Sequence, residues 1–293
     1  MQCAHTKTFD ALSYPTRIPT EHAAWRYADV MHEGRAARTF TDFLGKLTDE
    51  EMVLCETVAA KVGDFTVDEY GRRIVPRAAL LRAVNVARHI RYVAKPGSRV
   101  FEIGAGSGYV GALLALLGYQ YGCTDITQGF YIWQNHLLNL FGTVDEQAIP
   151  GVGCGAIAHV PWWRFYYTGA RTDADVVTCN TALCEMEESA ICFVGQYGRG
   201  VMFICDTWGL QVTAASTAAT LLARAGHRFF LSDAHAIAFG AGADPTGAIA
   251  DGRAKTAAEG KHDLAAYDAM VARLNGDLTT PDEDFIAYLK GLA

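Results

Sequence analysis

No two of the eight cysteines in this chain of 293 residues stand in a C-x-x-C spacing. Cys3, Cys55, Cys123, Cys154, Cys179, Cys184, Cys192 and Cys205 lie apart, several of them inside apolar runs where buried thiols are common. That spacing argues against a structural zinc and fits a reducing compartment, so a cytoplasmic protein with no bound metal is expected. Positive charge is also scarce. Lys and Arg number 25 against 32 Asp and Glu, a net charge of −7. Such a surface repels a phosphate backbone, which weighs against nucleic acid as a partner. No apolar run reaches the ~18 residues of a membrane span, and the longest candidate is broken at Gly118. The sequence does not open on a basic stretch followed by an apolar h-region, so no secretory signal is expected, and it contains no internal repeat.

What is present is a change of pattern near residue 93. Residues 20 to 92 lack strand alternation and read as helical. Thr48-Asp49-Glu50-Glu51 has the form of a capping box, and Pro76 opens a helix that continues through Leu80, Leu81, Val84 and Ala87. From Ser98 onward, short apolar runs alternate with helical stretches: Arg99–Ile103, Tyr119–Cys123, Ala156–Val160, Val176–Cys179, Val201–Cys205 and Arg228–Leu231. Alternation of this kind predicts parallel strands joined by crossover helices. Ala236–Phe239 follows too closely for a crossover and predicts a last strand paired as a hairpin with the run before it. The expectation is an α/β fold with a Rossmann-like, seven-stranded, mostly parallel sheet, helices on both faces and an N-terminal helical cap. Residues 240 to 260, rich in Gly, Ala, Asp and Thr, read as a loop, and Leu264, Tyr267, Met270, Val271 and Leu274 share one helical face. Three segments are expected: a helical cap at 1–92, the sheet domain at 93–245, and a loop with a helical appendage at 246–293.

The most informative stretch is Val100-Phe101-Glu102-Ile103-Gly104-Ala105-Gly106-Ser107-Gly108-Tyr109, an apolar strand that ends in an acid and opens through glycines into a helix. Glycines at 104, 106 and 108 admit positive φ and let a ligand approach the backbone. The helix that follows presents unpaired N–H groups and the positive end of its dipole, suited to a carboxylate. A dinucleotide fingerprint would need a small residue where Tyr109 stands, so pyrophosphate binding is the weaker reading. The next strand run ends in Cys123-Thr124-Asp125, a second acid at a strand terminus.

The series E-x-G-x-G-x-G resembles motif I of class I S-adenosylmethionine (SAM)-dependent methyltransferases. The resemblance implies SAM as cofactor, with Glu102 at its methionine end, Asp125 on the ribose hydroxyls, and Gly104, Ala105, Gly106, Gly108 and Ile126 around it. After the third run comes His159-Val160-Pro161-Trp162-Trp163, where an indole either covers the adenine or belongs to the core. This chain lacks the acid that many methyltransferases carry there, which leaves adenine to backbone contacts near His159, Val160 and Trp162. The pairing of P-W-W with Asn180-Thr181-Ala182-Leu183-Cys184-Glu185-Met186 resembles a group of bacterial sugar O-methyltransferases over residues 70 to 235, a group in which Asn-His is the more usual pair where this chain has Asn180-Thr181.

Asn180 follows the fourth run, where the reacting methyl is expected, as a catalytic and cofactor-binding candidate. Glu185, read in the first turn of the next helix, is the candidate general base, or else complements the helix dipole together with Glu187 and Glu188. His235 is the second base candidate, with a structural role the commoner one for a lone histidine. Asp206 is a candidate to orient an acceptor hydroxyl or to bind a metal, and a single carboxylate is poor evidence for a metal site. Arg72, Arg73, Arg77, Arg82, Arg88 and Arg91 would suit a phosphate, as in a nucleotide-linked sugar, or serve as solvated helix faces. The function expected is methyl transfer from SAM to a small-molecule acceptor, a hydroxyl of a sugar or natural-product intermediate. Transfer to nitrogen, sulfur or carbon, and SAM binding without transfer, stay open. The expected partners are the acceptor and a second copy as a homodimer, with neither nucleic acid nor membrane.

Overall fold

The computed structural model describes residue 18 and residues 20–29, 45–146, 157–167, 173–180, 182–199, 202–206, 212–232, 235–239 and 244–276. Among these the sheet has eight strands: β1 Arg99–Ile103, β2 Gln120–Thr124, β3 Val144–Asp145, β4 Ile157–His159, β5 Val176–Cys179, β6 Met202–Asp206, β7 Arg228–Ser232 and β8 His235–Phe239. Their order is β3-β4-β2-β1-β5-β6-β8-β7. The first six in that order run parallel, β8 is antiparallel to β6, and β7 pairs back on β8 as the expected hairpin. Seven of these strands match the apolar runs of the sequence to within a residue or two. The eighth, β3, corrects the expected count; two residues at a sheet edge carry no readable period.

The parallel strands are buried on both faces, and period-2 alternation divides their side chains between two cores. Val100 of β1, Tyr121 and Cys123 of β2 and Val176 of β5 enter one core, whereas Phe101, Ile103, Val177 and Cys179 enter the other. The first core is covered by α1 Asp49–Tyr70, α2 Ala78–Val93, α3 Tyr109–Leu116 and α4 Gln128–Asn139. The second is covered by α5 Trp162–Tyr167, α6 Glu188–Tyr197 and α7 Ala215–Arg224. A 3₁₀ helix, Glu21–Tyr27, packs on α4. Helices α8 Thr246–Glu259 and α9 Leu264–Asn275 return to the first face, on α2 and α1 respectively. The helices before residue 93 share one continuous core with the sheet.

Local chemistry explains the termini that position these helices. At the start of α1 the Thr48 hydroxyl accepts from Glu51 N at 3.2 Å and Glu51 Oε2 accepts from Thr48 N at 2.8 Å, the reciprocal capping box that the sequence suggests. The same Glu51 carboxylate receives Arg88 Nε at 2.6 Å and Arg88 Nη2 at 2.7 Å, a buried two-pronged ion pair between α1 and α2. Helix α2 starts without a capping side chain of its own. Its orphan N–H groups at Arg77 and Ala79 donate to Asp29 at 2.8 and 3.0 Å, so the cap comes from a residue about 50 positions earlier.

The loop expected over 240 to 260 is, from Thr246, the helix α8. Its composition buries little, and Ile249 is its one buried side chain, yet tertiary packing offsets the cost of its glycines. Gly252 lies so close to the Tyr92 ring that a Cβ there would meet it at 2.1 Å, and Tyr92 Oη pairs with Thr256 Oγ1 at 2.9 Å.

Candidate functional site

Because β2 and β4 leave β1 on one side and β5 and β6 on the other, the chain reverses its winding between β1 and β5. Ligands of open α/β sheets sit beyond the carboxyl ends of the strands at such a switch point. The glycine loop stands there. Gly104, Gly106 and Gly108 have φ of 70°, 53° and 75°. A Cβ on Gly104 would lie 2.5 Å from the Ala182 Cβ, so the loop can approach the segment after β5 only without a side chain at that position. A Cβ on Gly106 would enter open space, which leaves the backbone there bare on a cavity.

That cavity, about 470 Å³, collects most of the residues the sequence singles out: Glu102, Gly104, Ala105, Gly106, Asp125 and Ile126, then Trp162, Asn180 and Glu185. Ile126 is an apolar side chain left half exposed on the wall. Three expected cofactor contacts are not among the lining residues. Gly108 turns toward Gln134 and Leu137 of α4, and Val160 is wholly buried. His159 is wholly buried too, stacked on Tyr131 with ring centroids 3.8 Å apart. The reason is its partner: His159 Nε2 pairs with Gln134 Oε1 at 3.0 Å, behind the wall. Burial pushes the His159 pKa down to about 3, so the ring is neutral and its Nε2–H donates to the amide oxygen.

Gln134, which carries no sequence signal, is the hub of this arrangement. Its Nε2 donates to Gly106 O at 2.7 Å and to Asp125 Oδ2 at 3.1 Å. Asp125 Oδ2 also accepts from Gly106 N, and Oδ1 from Thr127 N, each at 2.9 Å. Asp125 therefore ties the end of β2 to the glycine loop while lining the cavity. Burial raises its pKa to about 6, against the opposing pull of the Thr127 and Gly106 N–H groups.

Glu102, at the end of β1, is buried on the side of Tyr121. The Tyr121 hydroxyl donates to its Oε2 at 2.5 Å, and Asn180 Nδ2 reaches its Oε1 at 3.4 Å. Burial pushes the Glu102 pKa up to about 7, and those two hydrogen bonds act in the opposite direction. Asn180 is itself held by Thr178 Oγ1 at 2.6 Å. Its Oδ1 is buried without a partner, as are Ser107 Oγ, Tyr109 Oη, Thr124 Oγ1 and Trp162 Nε1, all on residues that line the cavity. Unsatisfied buried polar atoms gathered on one cavity are what a polar ligand would satisfy.

Glu185 lies in a one-turn 3₁₀ helix, Leu183–Glu185, ahead of α6 rather than in its first turn. Glu187 and Glu188 stand at the α6 N-terminus, so they complement that dipole and Glu185 is exposed on the cavity wall. His235 opens β8 opposite Asp206 of β6, both at the carboxyl-end edge of β6, while their side chains, along with Thr181 and Trp208, lie outside the described residues.

No family model matches the sequence, and no curated protein matches it either. Comparison with solved structures finds partial likenesses. A TehB-like SAM-dependent methyltransferase from Corynebacterium glutamicum is 14% identical, with 53% of this chain and 85% of that chain covered and a TM-score of 0.39. A precorrin-6y C5,15-methyltransferase from Geobacter metallireducens is 13% identical over 53% of this chain and 88% of that one, TM-score 0.39. A SAM-bound amino pentose methyltransferase from Micromonospora echinaspora is 12% identical over 55% and 91%, TM-score 0.38.

The arginines of the amino-terminal part do not form a phosphate patch. Arg73 pairs with Asp64, Arg77 with Asp268, Arg88 with Glu51 and Arg91 with Glu50, and Arg72 lies over the Trp25 ring with 4.0 Å between its Cζ and the ring centroid. Arg82 stands on the cavity wall. Among the described residues it is the one cation that lines the cavity, opposite in charge to Glu102, Asp125 and Glu185. No helix among the described residues is long and apolar enough to cross a membrane.

Proposed function

We propose that the chain binds SAM at the glycine loop and transfers its methyl group to a hydroxyl of a small metabolite, a sugar or natural-product intermediate. The observation that carries this reading is the pair of buried carboxylates, Glu102 and Asp125, at the ends of adjacent strands with the bare backbone of Gly106 between them. Dinucleotide binding has less support, because Tyr109 is buried where a small residue would have to allow close helix packing.

The residues present fit the cofactor. Glu102 and the free Oδ1 of Asn180 suit the ammonium of its amino-acid end. Arg82 and the first N–H groups of α3 suit its carboxylate. Asp125 suits the ribose hydroxyls, and the half-exposed Ile126 and Trp162 suit the two faces of a purine. When bound, the cofactor supplies an electrophilic methyl on a positively charged sulfur, which leaves as a neutral thioether. The chain's own work is alignment of the acceptor, exclusion of water and removal of one proton. Glu185 takes the hydroxyl proton as the O–CH₃ bond forms and the S–CH₃ bond breaks.

Incubation with methyl-labelled SAM and a panel of sugars, phenols and amines tests the proposal. Label in a product is the expected result. Bound SAM with no transfer to any acceptor would reduce the reading to a SAM-binding protein, and absence of SAM binding would overturn it.

A further inference from the structure

One part of the cavity wall that the proposed cofactor contacts do not use is aromatic. Phe165 and Tyr166 of α5 and Phe193 of α6 all line it. Tyr166 and Phe193 are stacked, with centroids 4.7 Å apart and planes at 12°, and Phe165 meets Phe193 edge-on at 5.2 Å. Met186 and Ala190 extend the same apolar surface, and Glu185 adjoins Met186 on the turn that leads into α6. Tyr166 keeps 45% of its surface exposed although its ring is stacked on Phe193.

A sugar buries several hydroxyls at once, and each needs a donor or acceptor at a fixed place or is left unsatisfied. On this wall rings and aliphatic groups outnumber such partners, and the acid on the turn that adjoins it is Glu185. A flat aromatic molecule makes the opposite demand. It stacks or meets rings edge-on over its whole face and needs a polar partner only where it carries its nucleophile.

We infer that the acceptor is a planar aromatic compound with a phenolic hydroxyl, seated against Tyr166 and Phe193 with that hydroxyl toward Glu185. The inference rests on the proposed methyl transfer and narrows its acceptor class. The transfer balances as before: the phenolic oxygen gains the methyl from the sulfonium donor, Glu185 gains the proton, and the thioether departs. A phenol loses its proton far more readily than an alcohol, which suits a solvent-facing carboxylate as the base.

The test uses the full chain with S-adenosylhomocysteine affinity as an independent readout. 2-Naphthol and quercetin represent planar phenols, and methyl glucoside and UDP-glucose represent sugars. With labelled SAM, label is expected in a phenol and not in the sugars. Tyr166→Ala is expected to raise KM for that phenol by about tenfold, the scale of a lost aromatic contact, with S-adenosylhomocysteine affinity held within about twofold. Phe193→Leu, which keeps apolar bulk, is expected to give a smaller shift in the same direction. Methylation of the sugars alone overturns the inference, and so does failure of every phenol to bind or react while S-adenosylhomocysteine binds. Variants that weaken S-adenosylhomocysteine instead would assign the rings to the cofactor and overturn it as well. Loss of S-adenosylhomocysteine binding by the unaltered chain is a different result, the failure of the underlying reading.

Discussion

Tyr121 of β2 donates its hydroxyl proton to Glu102 Oε2 of β1 at 2.5 Å, in the interior between the sheet and its helices. The bond lets a buried carboxylate ionise near neutral pH. Burial pushes Glu102 up to about 7, and the tyrosine pulls it down. A ligand ammonium would draw the ionised form.

Affinity for S-adenosylhomocysteine should therefore rise with pH by up to about tenfold per unit until Glu102 is ionised, then level off. Tyr121→Phe removes the donor, so the Glu102 midpoint should move to higher pH and affinity at neutral pH should fall. Titration calorimetry between roughly pH 5.5 and 8.5 measures both. A flat profile, or an unmoved midpoint in Tyr121→Phe, would separate Glu102 from the ligand.

Stability of the unliganded chain should have the opposite slope. Glu102 binds its proton more tightly folded than unfolded, with a pKa of about 7 against 4.5. The stability this adds is complete below the unfolded value and is lost as pH rises through the folded one. Glu102→Gln should consequently melt several degrees above the parent chain near pH 8, with the gap closed near pH 4. Thermal unfolding at the two pH values checks the sign.

Glu185 stands on the cavity wall outside the carboxylate–glycine framework. Glu185→Gln should leave S-adenosylhomocysteine affinity nearly unchanged while turnover falls by about 10²-fold or more, as loss of a general base does. Steady-state kinetics beside a binding titration separates the two quantities. Unchanged turnover removes Glu185 from the chemistry.

The buried pair of Glu51 and Arg88 joins the capping box of α1 to α2, a helix that lines the cavity through Ala79, Arg82, Ala83 and Val86. Arg88→Met leaves Glu51 buried without its cation and should cost about 3–5 kcal/mol. Denaturant unfolding reads this directly, and a loss below about 1 kcal/mol would show the pair to behave as a surface one.

The framework of this site was legible because its signals are local. An acid closes an apolar run at Glu102, glycines follow at fixed steps, and a second acid closes the next run at Asp125. The capping box at Thr48 is local for the same reason. What escaped is long-range. Asp29 caps α2 from about 50 residues away, and Gln134 reaches Gly106, Asp125 and His159 from the middle of α4. Neither choice has a sequence period. The place of His159 after a strand predicts a backbone contact to the cofactor and says nothing of its side chain, which points behind the wall to Gln134. The glycines and sparse apolar residues of α8 weaken local propensity and predict a loop, while the close contact of Gly252 with Tyr92 spans 160 positions.

The central claim is that Glu102, Asp125 and the Gly104–Gly108 loop hold an adenosyl amino acid. Calorimetric titration of the purified, folded chain with S-adenosylhomocysteine and, separately, with NAD⁺ tests it most directly. Saturable heat with the first and none with the second is the predicted result; clean binding of NAD⁺ with no heat from S-adenosylhomocysteine would contradict it.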